Sequence, residues 1–252
     1  MLAFSFAKRE FHERYLGTGL GQIWYILSPL VMIFIYTVIF SDFMKMKLNM
    51  IDSSYSYSIY LVPGILAWIS FSTILNRLRN IFAQKSNLLK KINVPAYTFL
   101  LSVVIIEFCI LLISYTFGII FLFLVDHDVT VNFFILLPVL CLQTLFAFSL
   151  GTIIALLTVF FEDLKEALPI VIQLWFWMTP IIYMKEMIAD KYPLILILNP
   201  FYQFVHIYQD IFLYSKLPSL QSIMVILTLT LVTLFLAAYL YKKTISIIKD
   251  II

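Results

Sequence analysis

Six long apolar runs, at residues 23–40, 59–75, 99–125, 133–161, 167–183 and 220–241, fill most of this 252-residue chain. A bilayer crossing takes about 20 mostly apolar residues in a helix, so six spans use up the length and leave no room for a sizeable soluble domain. Runs this long also lack the alternation of a barrel strand, and their backbone satisfies itself only as helix. The expected fold is all-α, a single transmembrane domain over 1–252. Composition agrees, with 63% hydrophobic and 12% charged residues and a mean hydropathy of +1.01. The first run is too long for a signal-peptide core and ends in Ser41-Asp42-Phe43 with no small-residue cleavage pattern, so it is read as the first span.

Charge placement sets the topology, because basic residues collect on the cytoplasmic side. With both termini cytoplasmic and six spans, Lys8, Arg9, Arg14, Arg77, Arg79, Lys85, Lys90, Lys91, Lys165, Lys242, Lys243 and Lys249 all lie inside, twelve of seventeen basic residues. A further apolar stretch, 194–213, is broken by Asn199-Pro200 and carries His206, Gln209 and Asp210. A full crossing there would invert the last basic cluster, so the stretch is expected to be two half-helices dipping into the outer leaflet. Ahead of the first span, Phe4, Ala7, Phe11 and Tyr15 recur at helical spacing opposite Arg9, His12 and Glu13. This is the pattern of an amphipathic interface helix, expected over 1–22. Residues 84–95 read as a short basic helix ending near Pro95.

The chemistry-bearing residues are few. No G-x-x-x-x-G-K-[ST] occurs, so the chain does not hydrolyse ATP by the P-loop route, and any ATP engine is another polypeptide. The three histidines, His12, His127 and His206, are scattered, and Cys109 and Cys141 lie inside apolar runs; no catalytic or metal site is expected. A formal charge of +3 is too even to point to a nucleic-acid partner. Glu107, the clear acid at lipid depth, calls for a buried partner or a function. Aromatics make up 17% of the chain. Trp24, Tyr25, Tyr57, Tyr60, Tyr183 and Tyr241 stand near span ends, as interfacial anchors do. Trp68 with Phe71, and Trp175 with Phe176 and Trp177, cluster within spans.

Several segments in register resemble the permease subunits of polysaccharide-export ABC transporters, the group that moves O-antigen and teichoic-acid chains. They are Arg14-Tyr15-Leu16-Gly17-Thr18-Gly19-Leu20-Gly21-Gln22-Ile23-Trp24 running into Leu27-Ser28-Pro29-Leu30, and Tyr60-Leu61-Val62-Pro63-Gly64-Ile65-Leu66-Ala67-Trp68. Asn87-Leu88-Leu89-Lys90-Lys91-Ile92-Asn93-Val94-Pro95 follows, with Glu107 where the family often has an acid. Then come Phe161-Glu162-Asp163-Leu164 through Leu168-Pro169, Gln173-Leu174-Trp175 to Thr179-Pro180-Ile181-Ile182-Tyr183, and Leu198-Asn199-Pro200-Phe201. Glu162-Asp163 departs from the family's usual Arg-Asp, so no role of that arginine carries over.

The resemblance implies a homodimer of six-span subunits in the cell inner membrane, with two copies of a separate ATPase that holds ATP and Mg. It implies a lipid-diphosphate-linked polysaccharide as substrate and no cofactor on this chain. Gln84, Lys85, Asn87, Lys90 and Lys91 are the expected ATPase-coupling residues, in a coupling helix at 84–95. Lys8, Arg9 and Arg14 would engage the lipid diphosphate, and Asn199 and Pro200 would belong to an extracytoplasmic gate over 185–218. The sugar pathway would draw on Trp24, Tyr25, Tyr36, Trp68, Phe71, Trp175, Phe176, Trp177 and Tyr183. A teichoic-acid or capsule exporter is the near alternative. An ion-coupled carrier using Glu107, or a membrane enzyme built on Asp126, His127 and Asp128, are rivals of other classes.

Overall fold

Every regular element among the described residues is a helix, as expected where backbone groups have no water to bond. The computed structural model describes residues 2–39, 54–91, 94–189 and 191–251. The end of the first apolar run and Ser41-Asp42-Phe43 therefore lie outside the described residues. So do Met1 of the interface segment, Ile92 and Asn93 of the coupling segment, and Asp190 of the gate segment.

Helix α1 (Leu2–Glu13) is followed by a 3₁₀ turn at Gly21–Ile23 and α2 (Trp24–Thr37), then α3 (Ser56–Leu78), α4 (Ile81–Gln84) and α5 (Ser86–Lys91). The chain continues through α6 (Tyr97–Leu124), α7 (Leu136–Phe160) and α8 (Leu164–Met178). It closes with α9 (Glu186–Ala189), α10 (Pro193–Leu198), α11 (Tyr202–Tyr214) and α12 (Leu220–Ile251). Among the described residues, four stretches are long and apolar enough to cross a bilayer: Ser56–Leu78, Tyr97–Leu124, Val131–Phe160 and Leu220–Ile248. Helix α8, at 15 residues, spans about 22 Å, less than the hydrocarbon thickness of about 30 Å.

The interface segment is helical only to Glu13. Gly17 and Gly21 take positive φ values of 85° and 52°, a region glycine enters without steric cost, and the chain turns there instead of extending the helix to 22. On α1, Ala7 is buried, with Phe11 and Tyr15 packed beside it against Tyr25 and Ile106. Phe4, grouped with that face by its spacing, points outward instead, and Phe6 takes the inward place against Phe99, ring centroids 5.0 Å apart.

Helix α3 is the axis of the fold, surrounded by α2, α6, α7, α8 and α11. The non-helical backbone after α8 is satisfied by side chains from its neighbours, as membrane-depth loops must be. The Tyr60 hydroxyl donates to the carbonyls of Pro180 (3.2 Å) and Tyr183 (2.9 Å), Tyr57 donates to that of Ile182, and Gln209 Nε2 also reaches Pro180 (3.2 Å). The 194–213 stretch is broken at Asn199-Pro200 into α10 and α11. Of the two, α11 is buried along most of its length.

Candidate functional site: a buried ion network and an aromatic wall

Glu107 lies about ten residues into α6, roughly 15 Å from Tyr97 along the helix, and is 3% exposed. A lone carboxylate there would be prohibitively desolvated, so it has partners. Arg14, on the turn after α1, donates to its Oε1 at 2.7 Å, and Arg77, near the end of α3, donates to the same oxygen at 2.5 Å. Arg77 also pairs with Glu10 of α1, whose second oxygen accepts from Ser102 at 3.2 Å. Two cations and two anions thus join α1, α3 and α6 in one formally neutral network. Burial, the largest single influence, lowers the Arg14 pKa, but the Glu107 carboxylate together with Tyr15 and Tyr25 outweighs it, and the net shift is upward. Arg14 is thereby kept fully charged. Its guanidinium also lies 5.6 Å from the ring centres of both Tyr15 and Tyr25.

The other two cations expected to engage a lipid diphosphate, Lys8 and Arg9, are exposed, and Arg9 pairs with Glu13 at 2.7 Å. Arg77 and Glu10 were not singled out from the sequence. Arg77 counted only toward topology, although an acid at lipid depth demands a cation that can reach it.

The aromatic residues separate into two settings. Trp68, Phe71 and Trp175 pack together with Phe201 in the interior of the chain. Phe71 stacks on Phe201 at 4.3 Å, and Trp175 meets Phe71 edge-on at 5.2 Å and Trp68 at 6.1 Å. Phe176 lies 5.5 Å from Trp68, whereas Trp177 is 56% exposed. Tyr25 is buried under α1, stacked on Phe11 at 4.2 Å with its hydroxyl on the Phe11 carbonyl at 3.0 Å. Trp24 is partly exposed, Tyr36 is half-buried against the main core, and Tyr183 donates to the Trp177 carbonyl at 2.7 Å.

Asn199 joins this wall to the broken segment. Its Oδ1 accepts from Trp175 Nε1 at 2.8 Å and from the backbone N–H groups of Phe201 (3.1 Å) and Tyr202 (3.2 Å), which open α11. Its Nδ2 donates to Thr179 Oγ1 at 2.8 Å and to the Met178 carbonyl at 3.2 Å. One amide therefore caps α11 and ties it to the end of α8, while Pro200 lines the apolar hollow beside Trp175. On α4 and α5, Gln84, Asn87, Lys90 and Lys91 are exposed and Lys85 is half-buried, while Leu88 and Leu89 pack inward. The loop holding Asp126, His127 and Asp128 docks on the end of α11, with His127 Nε2 2.7 Å from the Phe212 carbonyl.

These features define a multi-pass helical membrane protein whose polar groups are gathered inside and whose outer faces are apolar. The family model of the ABC-2 type transporter matches residues 2–213, and the chain belongs to that membrane-transporter family. It is 27% identical over 244 residues to the O-antigen export system permease protein RfbA of Myxococcus xanthus, covering 96% of this chain and 92% of that one. A Klebsiella pneumoniae protein of the same name is 26% identical over 210 residues, 83% of this chain and 79% of the relative. The polysialic acid transport protein KpsM of Escherichia coli is 23% identical over 235 residues, 93% and 90% of the two chains.

Proposed function

We propose that this chain is the membrane-spanning subunit of an ATP-driven exporter that moves a lipid-linked polysaccharide, an O-antigen in the first instance, across the cytoplasmic membrane. The observation that carries this reading is similarity over 96% of the chain to a protein named as an O-antigen export permease. In this reading ATP and Mg belong to a separate ATPase, two copies beneath a homodimer of this subunit; the lack of a P-loop motif in the sequence supports a separate engine. Counting α2 and α8 with the four long helices gives six spans, and both termini then fall in the cytoplasm. Helix α1 lies in the cytoplasmic interface, α4 and α5 with 84–95 dock on the ATPase, and 185–218 re-enters as the outer gate. Lys8, Arg9 and Arg14 face the lipid diphosphate at entry. Of the proposed pathway aromatics, exposed Trp177 can meet sugar directly; Trp68, Phe71 and Trp175, packed inside the protomer, support the wall behind it. The similarity to KpsM favours a second reading, export of a capsular polysaccharide.

Deleting the gene is expected to remove the surface polysaccharide while its lipid-linked form accumulates inside, and the purified chain is expected to hydrolyse ATP only with its partner subunit. Unchanged surface polysaccharide in the deletion strain, or hydrolysis by the permease free of contaminating ATPase, would overturn the reading.

A further inference from the structure

The apolar hollow beside Trp175 and Pro200 has a volume of about 300 Å³ and lies between α3, α7, α8 and α12. Helix α12 packs along α7, and α8 rests on α3 and α7, but α8 and α12 are not closely packed on each other. The four helices therefore leave a crevice where a filled core would otherwise stand. Ten of its eleven lining residues are apolar. The eleventh, Thr233, has its hydroxyl bonded to the Ser149 hydroxyl at 2.8 Å and the Leu229 carbonyl at 2.9 Å, and the Trp175 indole N–H is taken by Asn199. No lining side chain is left with an unpaired polar group to hold water or a charged ligand. An apolar cavity of about 150 Å³, half this size, already stays dry and takes benzene. The lining also has a direction. Phe146, Leu150 and Ile154 stand four residues apart on α7, and Leu168, Ile172 and Trp175 recur at helical spacing on α8. These two stripes run along their helices for about 10–12 Å.

We propose that this crevice holds an acyl chain of a bilayer phospholipid, laid along α7 and α8. A lining whose polar atoms are all spent takes hydrocarbon and penalises anything that must keep its hydrogen bonds. Helices α7 and α12 belong to stretches long and apolar enough to cross a bilayer, so the stripes run with the bilayer's own chains and a tail enters without leaving hydrocarbon. A side chain offered by a second copy would come in across the stripes and fill only part of their length. Left empty, the crevice would deprive its walls of contacts that a lipid tail supplies. Trp175 gives the site a consequence. The tail packs against the same indole that Asn199 holds, and occupancy of the crevice is thereby felt at the break between α10 and α11. The site needs only a bilayer around the chain and is independent of what is exported.

The test reads tryptophan emission from the full-length chain in phosphatidylcholine nanodiscs, with ordinary acyl chains or with chains brominated at mid-length, since bromine quenches an indole it touches. Trp24→Phe with Trp177→Phe removes the two exposed indoles and leaves buried Trp68 and crevice-lining Trp175. With one of the two remaining indoles against the tail, brominated lipid should remove about half of the emission of this background. Thr233→Phe, which puts a ring into the crevice, should restore most of it. If that variant fails to assemble, Leu150→Phe with Leu229→Phe narrows the crevice from two walls, leaves the Thr233 hydroxyl in place and should do the same. Emission unchanged by bromine would overturn the site. So would quenching that neither filled variant reduces, because lipid would then reach Trp175 by another route. A second copy seated in the crevice has its own signature: a cysteine at Val171, in a chain lacking Cys109 and Cys141, would join two chains on oxidation while bromine left the emission unchanged. That result replaces the acyl chain by a contact between copies.

Discussion

Helices α3 and α12 are both long apolar segments, yet 83% of the apolar window of α3 is buried within the protein and only 17% of that of α12. Helix α12 is the more apolar of the two. The inversion follows from the solvent. In a membrane, the most apolar surface is compatible with lipid, and the interior gathers small and hydrogen-bonding residues instead. Helix α3 carries Ser56, Ser58, Ser70, Pro63 and Gly64 inside; its Ala67 carbonyl accepts from Gln143 of α7 at 3.0 Å and its Pro63 carbonyl from Tyr115 of α6 at 2.9 Å. Helix α12 turns Ile226, Thr230 and Ala237 toward α7, where Thr233 bonds Ser149 at 2.8 Å, and leaves Val232, Phe235, Leu236 and Tyr239 uncovered. Apolarity therefore reports the lipid face, and polar residues report the core.

The largest effect expected from that contrast falls on the charges that end α3. Glu107→Ala leaves Arg14 and Arg77 sharing only Glu10, an uncompensated cation at the edge of the hydrocarbon, and should destabilise the assembled protein by about 3–5 kcal/mol. The midpoint for loss of the monodisperse species on heating in detergent measures this. A variant as stable as wild type would mean that the network is not a structural tie between α1, α3 and α6.

Next in size is the close approach of α3 and α7 at Gly151. A Cβ on Gly151 would stand 3.2 Å from Leu78 Cβ and would overlap Leu78 Cδ1, so the helices meet there only because glycine lacks that atom. Gly151→Val should cost about 1–3 kcal/mol through overpacking, and the smaller Leu78→Ala should relieve part of it in the double variant. A lack of such rescue would place the strain elsewhere.

Much of this architecture was legible in the sequence, because hydrocarbon permits few backbone solutions: the long runs are helices, and the 194–213 stretch breaks where Asn199-Pro200 interrupts it. Glu107 announced that it needed partners. The partners themselves were not legible, since Arg14 and Arg77 lie 93 and 30 positions away from it, and Arg77 looks like an ordinary interfacial charge until the helices pack. Nor could the spacing of Trp175, Phe176 and Trp177 tell which ring turns inward. That is fixed by the Asn199 amide, which holds Trp175 against α3 and leaves Trp177 outside. The end of α1 was misplaced because the glycines at 17 and 21 were read for their family pattern and not for their positive φ.

The smallest effect should appear on the uncovered face of α12. Phe235 is 76% exposed and Val232, Leu236 and Tyr239 share its side of the helix, so lipid tails contact that face before and after the helices pack. Packing removes none of its area from water, and Phe235→Ala should shift stability by less than about 0.5 kcal/mol, with lipid filling the space. Phe71→Ala, a fully buried ring stacked on Phe201, should cost about 3–5 kcal/mol by leaving a cavity. The two substitutions delete the same atoms, so their difference isolates the surroundings. Heating both variants in detergent and in nanodiscs gives the comparison, and the oligomeric state of the Phe235 variant supplies a second reading. A large loss at Phe235 accompanied by dissociation would show that a second copy covers α12, and would put the contact of the proposed homodimer on this helix. A small loss with the dimer intact leaves α12 facing lipid and puts the contact on another surface.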